Sequence, residues 1–198
     1  MKPFQPIDAV ALPITRPNFD TDQILPARYL QKPRANNFGE FLFHNLRFLK
    51  DGSENPDFVL NKTAYRQSEV VVAARNFACG SSREHAVWAL YDYGFRAAIA
   101  PSFGDIFFSN ALKNGLLPIV LPEQVVAGLL DAIQSTPEQR IRIDLEAQTV
   151  TAPDGTTHRF DVDPFAKHCL LNGIDELDYT LSQMAHIVEF EKNQADPI

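Results

Sequence analysis

Cysteine is nearly absent from this 198-residue chain: Cys79 and Cys169 are its two thiols, far apart, and neither belongs to a CxxC pair. That excludes a zinc ribbon and a thioredoxin-type site. An iron–sulfur cluster usually takes three or four thiolates, so a cluster would have to come from another chain. Cys169 reads as a core thiol. Basic residues are also few, with 18 Lys plus Arg against 25 Asp plus Glu and a net charge of −7. This balance argues against nucleic acid or an anionic membrane as the main partner, while leaving room for a local basic pocket. No apolar run approaches the ~20 residues of a membrane-spanning helix. The N-terminal residues lack the apolar core and cleavage site of a secretory signal, so a cytoplasmic protein is expected. Internal repeats, low-complexity tracts, a GxxxxGK[ST] loop and a GxSxG elbow are missing too.

What remains is an ordinary folded composition, 45% hydrophobic and 22% charged. A chain of this length buries roughly 70% of its unfolded surface and needs no disulfide or metal staple. With no linker visible, one domain over residues 1–198 is expected. Residues 7–14 are apolar and β-prone. Residues 16–57 are mostly irregular, with a short helix near 38–46 and four phenylalanines, Phe38, Phe41, Phe43 and Phe48, that need something to pack on.

The centre, 69–121, reads as strand–helix–strand–helix–strand: buried runs at 69–74, 97–100 and 116–121, and helices at 81–93 and 103–113. Pro118 in the third run favours an edge strand. A helix follows at 123–134. Residues 139–161 alternate with period two around Pro153-Asp154-Gly155, an antiparallel meander. The tail, 164–192, reads as helices at 164–172 and 178–192. The fold class expected is α/β, a three-layer β/β/α arrangement with a mostly parallel core sheet.

The chemistry concentrates in Asn76-Phe77-Ala78-Cys79-Gly80-Ser81-Ser82-Arg83-Glu84-His85-Ala86. This segment leaves a buried strand and opens a helix, so it lies where parallel sheets bind ligands. The first helical turn offers free N–H groups and a positive dipole end. Arg83 adds a guanidinium able to grip a carboxylate through paired hydrogen bonds, with an ordinary surface or ion-pair role also open to it. Ser81-x-x-Glu84 matches a capping box, with Ser81 at N-cap and Glu84 at N3. Capping and a catalytic Ser81 are compatible, because donors that favour a capping oxygen also favour an alkoxide. His85 reads as a packing residue. Asp20 and Asp22 lack a third metal ligand nearby, so turn and cap roles are expected of them.

This central segment resembles the signature of the aconitase superfamily's swivelling domain. Four further blocks fit: Asn18 to Pro26, Ala100 to Phe107, Asn114 to Pro118, and Cys169-Leu170-Leu171-Asn172-Gly173. Together they resemble the small subunits of bacterial 3-isopropylmalate dehydratases over nearly the whole chain. One departure is Ala78, where the family often has glycine. The resemblance implies a hydro-lyase subunit of leucine biosynthesis, active only with a large subunit that carries a 4Fe–4S cluster. It implies Ser81 as general base on 2-isopropylmalate, Ser82 and Arg83 as substrate contacts, and no metal in this chain. Arg28, in Leu25-Pro26-Ala27-Arg28-Tyr29-Leu30, falls in the loop that approaches the substrate, with Leu25, Tyr29 and Leu30 as apolar contacts. A plain surface role for Arg28 stays open. Also open are a related hydro-lyase acting on citraconate with 2-methylmalate or on homoaconitate, and a non-catalytic carboxylate-binding module.

Overall fold

The computed structural model describes residues 1–34, 37–80 and 83–194. In chain order the elements are β1 (Ile7–Ile14), α1 (Thr21–Ile24), α2 (His44–Arg47), β2 (Val70–Ala73), α3 (Glu84–Tyr93), β3 (Ala97–Ala100), α4 (Asp105–Lys113) and β4 (Leu117–Val120). They continue with α5 (Glu123–Ser135), β5 (Arg140–Asp144), β6 (Thr149–Thr151), β7 (Thr157–Arg159), α6 (Pro164–Asn172), α7 (Glu176–Ser182) and α8 (Met184–Gln194). Single 3₁₀ turns occupy Ala27–Tyr29 and Phe38–Phe41. Among the described residues no helix is long and apolar enough to cross a membrane.

The strands form one mixed sheet in the order β4-β3-β2-β1-β5-β6-β7. The expected α/β class and parallel core are present, and the two expected β layers are two halves of one sheet that share β1. The sequence of β1 records the change. Residues 7–10 pair antiparallel with β5, Ile7 opposite Ile143, and alternate in burial. Residues 11–14 pair parallel with β2, Ala11 opposite Val70, and are all buried. A strand covered on both faces is apolar throughout, whereas one with a solvent face alternates. The buried β2 and β3 and the alternating β5 follow the same rule. Pro118 lies in β4, which is an edge strand as expected.

Because β2, β3 and β4 step outward in order, right-handed crossovers place α3 and α4 together on one face, where they pack against each other. Helix α5 lies across β1, β2 and β3 and covers the other face. The expected single helix at 178–192 is instead two, α7 and α8, broken at Gln183.

The irregular zone folds onto this domain's own core. Phe38 and Phe43 are fully buried, and Phe41 and Phe48 are half-buried. Phe38 meets Trp88 of α3 edge-on at 5.8 Å, and Phe43 meets Phe19 at 5.8 Å. The aromatic content of this zone is therefore largely spent inside the chain and does not by itself argue for a partner.

Gly39 shows how closely the zone is fitted. A Cβ there would lie 2.5 Å from the backbone nitrogen of Tyr93, at the end of α3. Gly39→Ala forces two backbone segments apart, and we expect a loss of about 1–3 kcal/mol in unfolding free energy. Urea titration of the two proteins checks this; an unchanged midpoint would show that the 3₁₀ turn yields freely.

Candidate functional site

The site grows from the carboxyl ends of β1, β2 and β3, whose outgoing loops stay hydrogen-bonded after the strands end. Asn18 N–H donates to Arg75 O (3.0 Å) and Thr21 N–H to Cys79 O (2.9 Å). On the other side Phe77 N–H donates to Ser102 O (3.0 Å) and Gly104 N–H to Phe77 O (2.9 Å). Asn76 ties all three loops. Its N–H donates to Ser102 Oγ (2.9 Å) and its carboxamide to Asn18 Oδ1 (2.7 Å). The described parts of the loops are thereby cross-linked by hydrogen bonds beyond the ends of the strands that feed them.

The turns demand unusual backbone. Asn18, Asn76 and Ala78 have φ of 54°, 60° and 56°. Asparagine tolerates this left-handed region, but an alanine pays roughly 1–2 kcal/mol for it. That is the physical sense of the departure at Ala78: the position asks for glycine. Gly80 has φ 91°, and a Cβ there would sit 2.3 Å from Asp20 Oδ2, so the loop passes directly over that carboxylate.

Asp20 caps α1. Its carboxylate accepts from Asp22 N–H (2.7 Å), and the Asp20 N–H donates to Gln23 Oε1 (3.0 Å), completing a capping box. This is the cap role expected of it. Asp22 instead points outward and pairs with Arg83. The Arg83 side chain is only 17% exposed and that of Asp22 is 53% exposed. A mostly covered guanidinium at a helix start is thus engaged in an ion pair within the chain, the ordinary role left open for Arg83.

Ser81 and Ser82, the expected base and its neighbour, lie outside the described residues. The observed start of α3 corrects the capping-box assignment of Glu84. Arg83 is the N-cap residue, with extended φ −128° and ψ 111°, and the helix starts at Glu84. Glu84 is therefore at N1, not N3. Its carboxylate accepts from Asn114 Nδ2 (2.8 Å), while Asn114 Oδ1 accepts from Trp88 Nε1 (2.9 Å). Asn114, from the end of α4, thereby clamps the first turns of α3. His85 packs on Trp88, with ring centroids 4.4 Å apart, as a packing histidine should.

Arg28 is exposed on its 3₁₀ turn. Its guanidinium donates to His44 Nδ1 (3.1 Å) and lies 4.7 Å from the Tyr29 ring centroid. Leu25 is fully buried, so the apolar contact expected of it goes to the core. Tyr29 stacks on Phe41 at 4.4 Å and, like Leu30, is half-buried. Helix α1 packs against both α3 and α2, so one short helix stands between Arg83 and the Arg28–His44 pair. A cleft of about 420 Å³ at this sheet end is lined by Thr15, Pro17, Arg75, Pro101 and Val126, and not by Arg28 or Arg83.

The thiols are not poised for chemistry. Burial, and then the Asp20 carboxylate, push the Cys79 thiol up, so it stays protonated near neutrality. Cys169 is a buried core thiol of α6, pushed up by burial and by neighbouring carboxylates. Among the described residues no group of three or more His, Cys, Asp or Glu side chains is gathered to hold a metal ion.

The Asp22–Arg83 and Arg28–His44 pairs and the Asn114 clamp were not foreseen. Two carboxylates two positions apart at a cap were a usable signal, since only one can cap. Nothing in the local pattern marked His44 or Asn114 as partners.

The Aconitase C-terminal domain model matches residues 1–124, and a model described as LeuD_N matches residues 127–164. The 3-isopropylmalate dehydratase small subunit of Leptospira interrogans is 48% identical over 99% of this chain and 96% of its own length. That of Rhodospirillum centenum is 50% identical over 98% of this chain and 96% of its own. A crystal structure of a 3-isopropylmalate dehydratase from Methanocaldococcus jannaschii shares the fold, with a TM-score of 0.65 at 23% identity over 95% of this chain and 99% of that one. Near-half identity along both full lengths, on a mixed sheet whose loops gather Asp20, Asp22 and Arg83, leaves one conclusion: the chain belongs to the 3-isopropylmalate dehydratase small-subunit family of aconitase C-terminal domains.

Proposed function

We propose that the chain is the small subunit of a 3-isopropylmalate dehydratase, a cytoplasmic hydro-lyase of leucine biosynthesis that works with a large subunit. The reaction interconverts 2-isopropylmalate and 3-isopropylmalate through isopropylmaleate by loss and return of water. The observation that carries this reading is the near-full-length likeness to 3-isopropylmalate dehydratase small subunits, with Gly80 and Arg83 in the stretch of chain that joins β2 to α3.

Each step assigned to this chain uses its own groups. Arg83, at the start of α3, binds one substrate carboxylate in place of Asp22, with the helix dipole adding to its charge. Ser82 contributes further contacts, and Arg28 contacts the substrate at its more exposed end. Ser81 takes the proton from the carbon next to the one bearing the hydroxyl and, on rehydration, gives a proton to the carbon that had borne the hydroxyl while water adds to its neighbour. An alkoxide base needs a dry site with cations close by, and the Arg83 guanidinium supplies part of that. A 4Fe–4S cluster takes three or four thiolates and this chain has two cysteines, so in this reading the large subunit would hold the cluster, whose iron would supply Lewis-acid chemistry. The exposure of Arg28 and Asp22 supports a site that is completed when a second chain covers it.

The first test follows the absorbance of isopropylmaleate formed from 2-isopropylmalate by this chain, by a cluster-loaded large subunit, and by the two mixed. Activity is expected in the mixture alone; turnover by this chain without its partner would sink the split-site reading. A complex that forms but turns over only citraconate or homoaconitate would move the substrate assignment. In the active complex, Ser81→Ala should lower kcat by about 10²–10⁴-fold with little change in KM. A variant with normal kcat would return Ser81 to a capping role. Arg83→Ala removes a charged hydrogen-bond donor and should raise KM by roughly 10–100-fold. An unchanged KM would show that the carboxylate is held elsewhere.

A further inference from the structure

Arg28 is exposed but not loose. Its Nη2 donates to His44 Nδ1 at 3.1 Å, and its guanidinium lies 4.7 Å from the centroid of Tyr29. Tyr29 is fixed in turn by stacking on Phe41, with centroids 4.4 Å apart and planes 16° apart. The His44 ring is held between Tyr29 at 5.1 Å and Phe48 at 4.9 Å. Arginine carries donors and no acceptor, so this contact requires a lone pair on Nδ1 and puts the ring proton of His44 on Nε2. A second proton would set N–H against N–H beside a guanidinium.

The backbone behind His44 is committed to this placement. Phe43 precedes it with φ 50° and ψ 28°, a left-handed conformation rare for a bulky residue. Phe43 is nonetheless fully buried between Phe19 and Phe58, and its N–H donates to Ile24 O at 2.7 Å. Strain that surrounding packing holds in place tends to mark functional positions. Here it sets the direction in which α2 starts, and so where His44 stands.

We infer that His44 is a positioning residue: as a neutral acceptor it aims the Arg28 guanidinium at the substrate. The inference rests on the proposed substrate contact of Arg28 and adds the group that orients it. The charged groups facing His44 are Arg28, from the turn at 27–29, and Arg47, from its own helix. Burial first, and then these two cations, hold its imidazole below the ordinary 6.5. The ring is therefore neutral near pH 7 and becomes a cation only in more acid solution. Protonation then breaks the hydrogen bond and repels Arg28.

The test measures KM and kcat for 2-isopropylmalate in the two-subunit enzyme. His44→Leu should raise KM by about tenfold while kcat stays within about twofold, because binding and not proton transfer is disturbed. His44→Asn, whose carboxamide oxygen can stand where Nδ1 stands, should bring KM back to within about twofold of the unaltered enzyme. The unaltered enzyme should show KM rising as the pH falls below about 6.5, and His44→Asn should not share that component.

Equal KM values for His44→Leu and the unaltered enzyme overturn the inference, as does an asparagine variant no better than the leucine one. If His44→Leu does not fold, the pH profiles of the other two enzymes decide; identical profiles overturn the inference. Arg28→Ala separates the two readings. If it leaves KM unchanged, the Arg28 contact itself falls and the inference with it. If it raises KM and His44→Leu does not, only the positioning role falls.

Discussion

Strand β1 is bonded to β5 through residues 7–10 and to β2 through residues 11–14, and both halves of the sheet hang on that double pairing. Its register is strongly specified. A slip of one residue would turn the buried Ile7 and Ala9 to solvent and bring Asp8 into the core. Everything at the candidate site inherits this alignment. The loop leaving β1 continues beside the loop leaving β2, bonded at Asn18 to Arg75 and at Thr21 to Cys79. That pairing carries Asp20 under Gly80 and presents Asp22 to Arg83.

The site mixes charges of both signs on a chain of net charge −7: Arg28, Arg47 and Arg83 lie around α1 and α2, with the Asp20 and Asp22 carboxylates beside them. Asp22 gives the mostly covered Arg83 guanidinium a counter-charge, which offsets the cost of taking that charge out of water.

Much of the architecture was legible along the chain. Continuous apolar runs marked β2 and β3, strict alternation marked β5, and Pro118 marked an edge. These features are local, because burial on one face or two writes itself directly into the period of the sequence. The misreadings were of another kind. Ser81-x-x-Glu84 satisfies the capping-box pattern, but Asn114, from a different helix, takes the Glu84 carboxylate and the helix starts at Glu84 itself. Leu25 is indistinguishable in sequence from a surface apolar contact, yet it is wholly buried. Four phenylalanines in an irregular zone cannot say whether they serve a partner or their own core, and Phe38 and Phe43 serve the core.

The amino-acid sequence by itself determined the order and kind of the elements, the acidic balance, and the segment from Asn76 to Ala86 in which chemistry is concentrated. Those properties depend on neighbours within a few positions. Tertiary structure decided which groups meet: Asp22 with Arg83 across 61 residues of chain, Asn114 with Glu84 across 30, and Arg28 with His44 across 16. Such pairs arise because the parallel ladder runs on past the ends of its strands and because buried aromatics fix where α2 begins. A hydrogen bond needs atoms placed to a fraction of an ångström, and only the folded sheet supplies that placement.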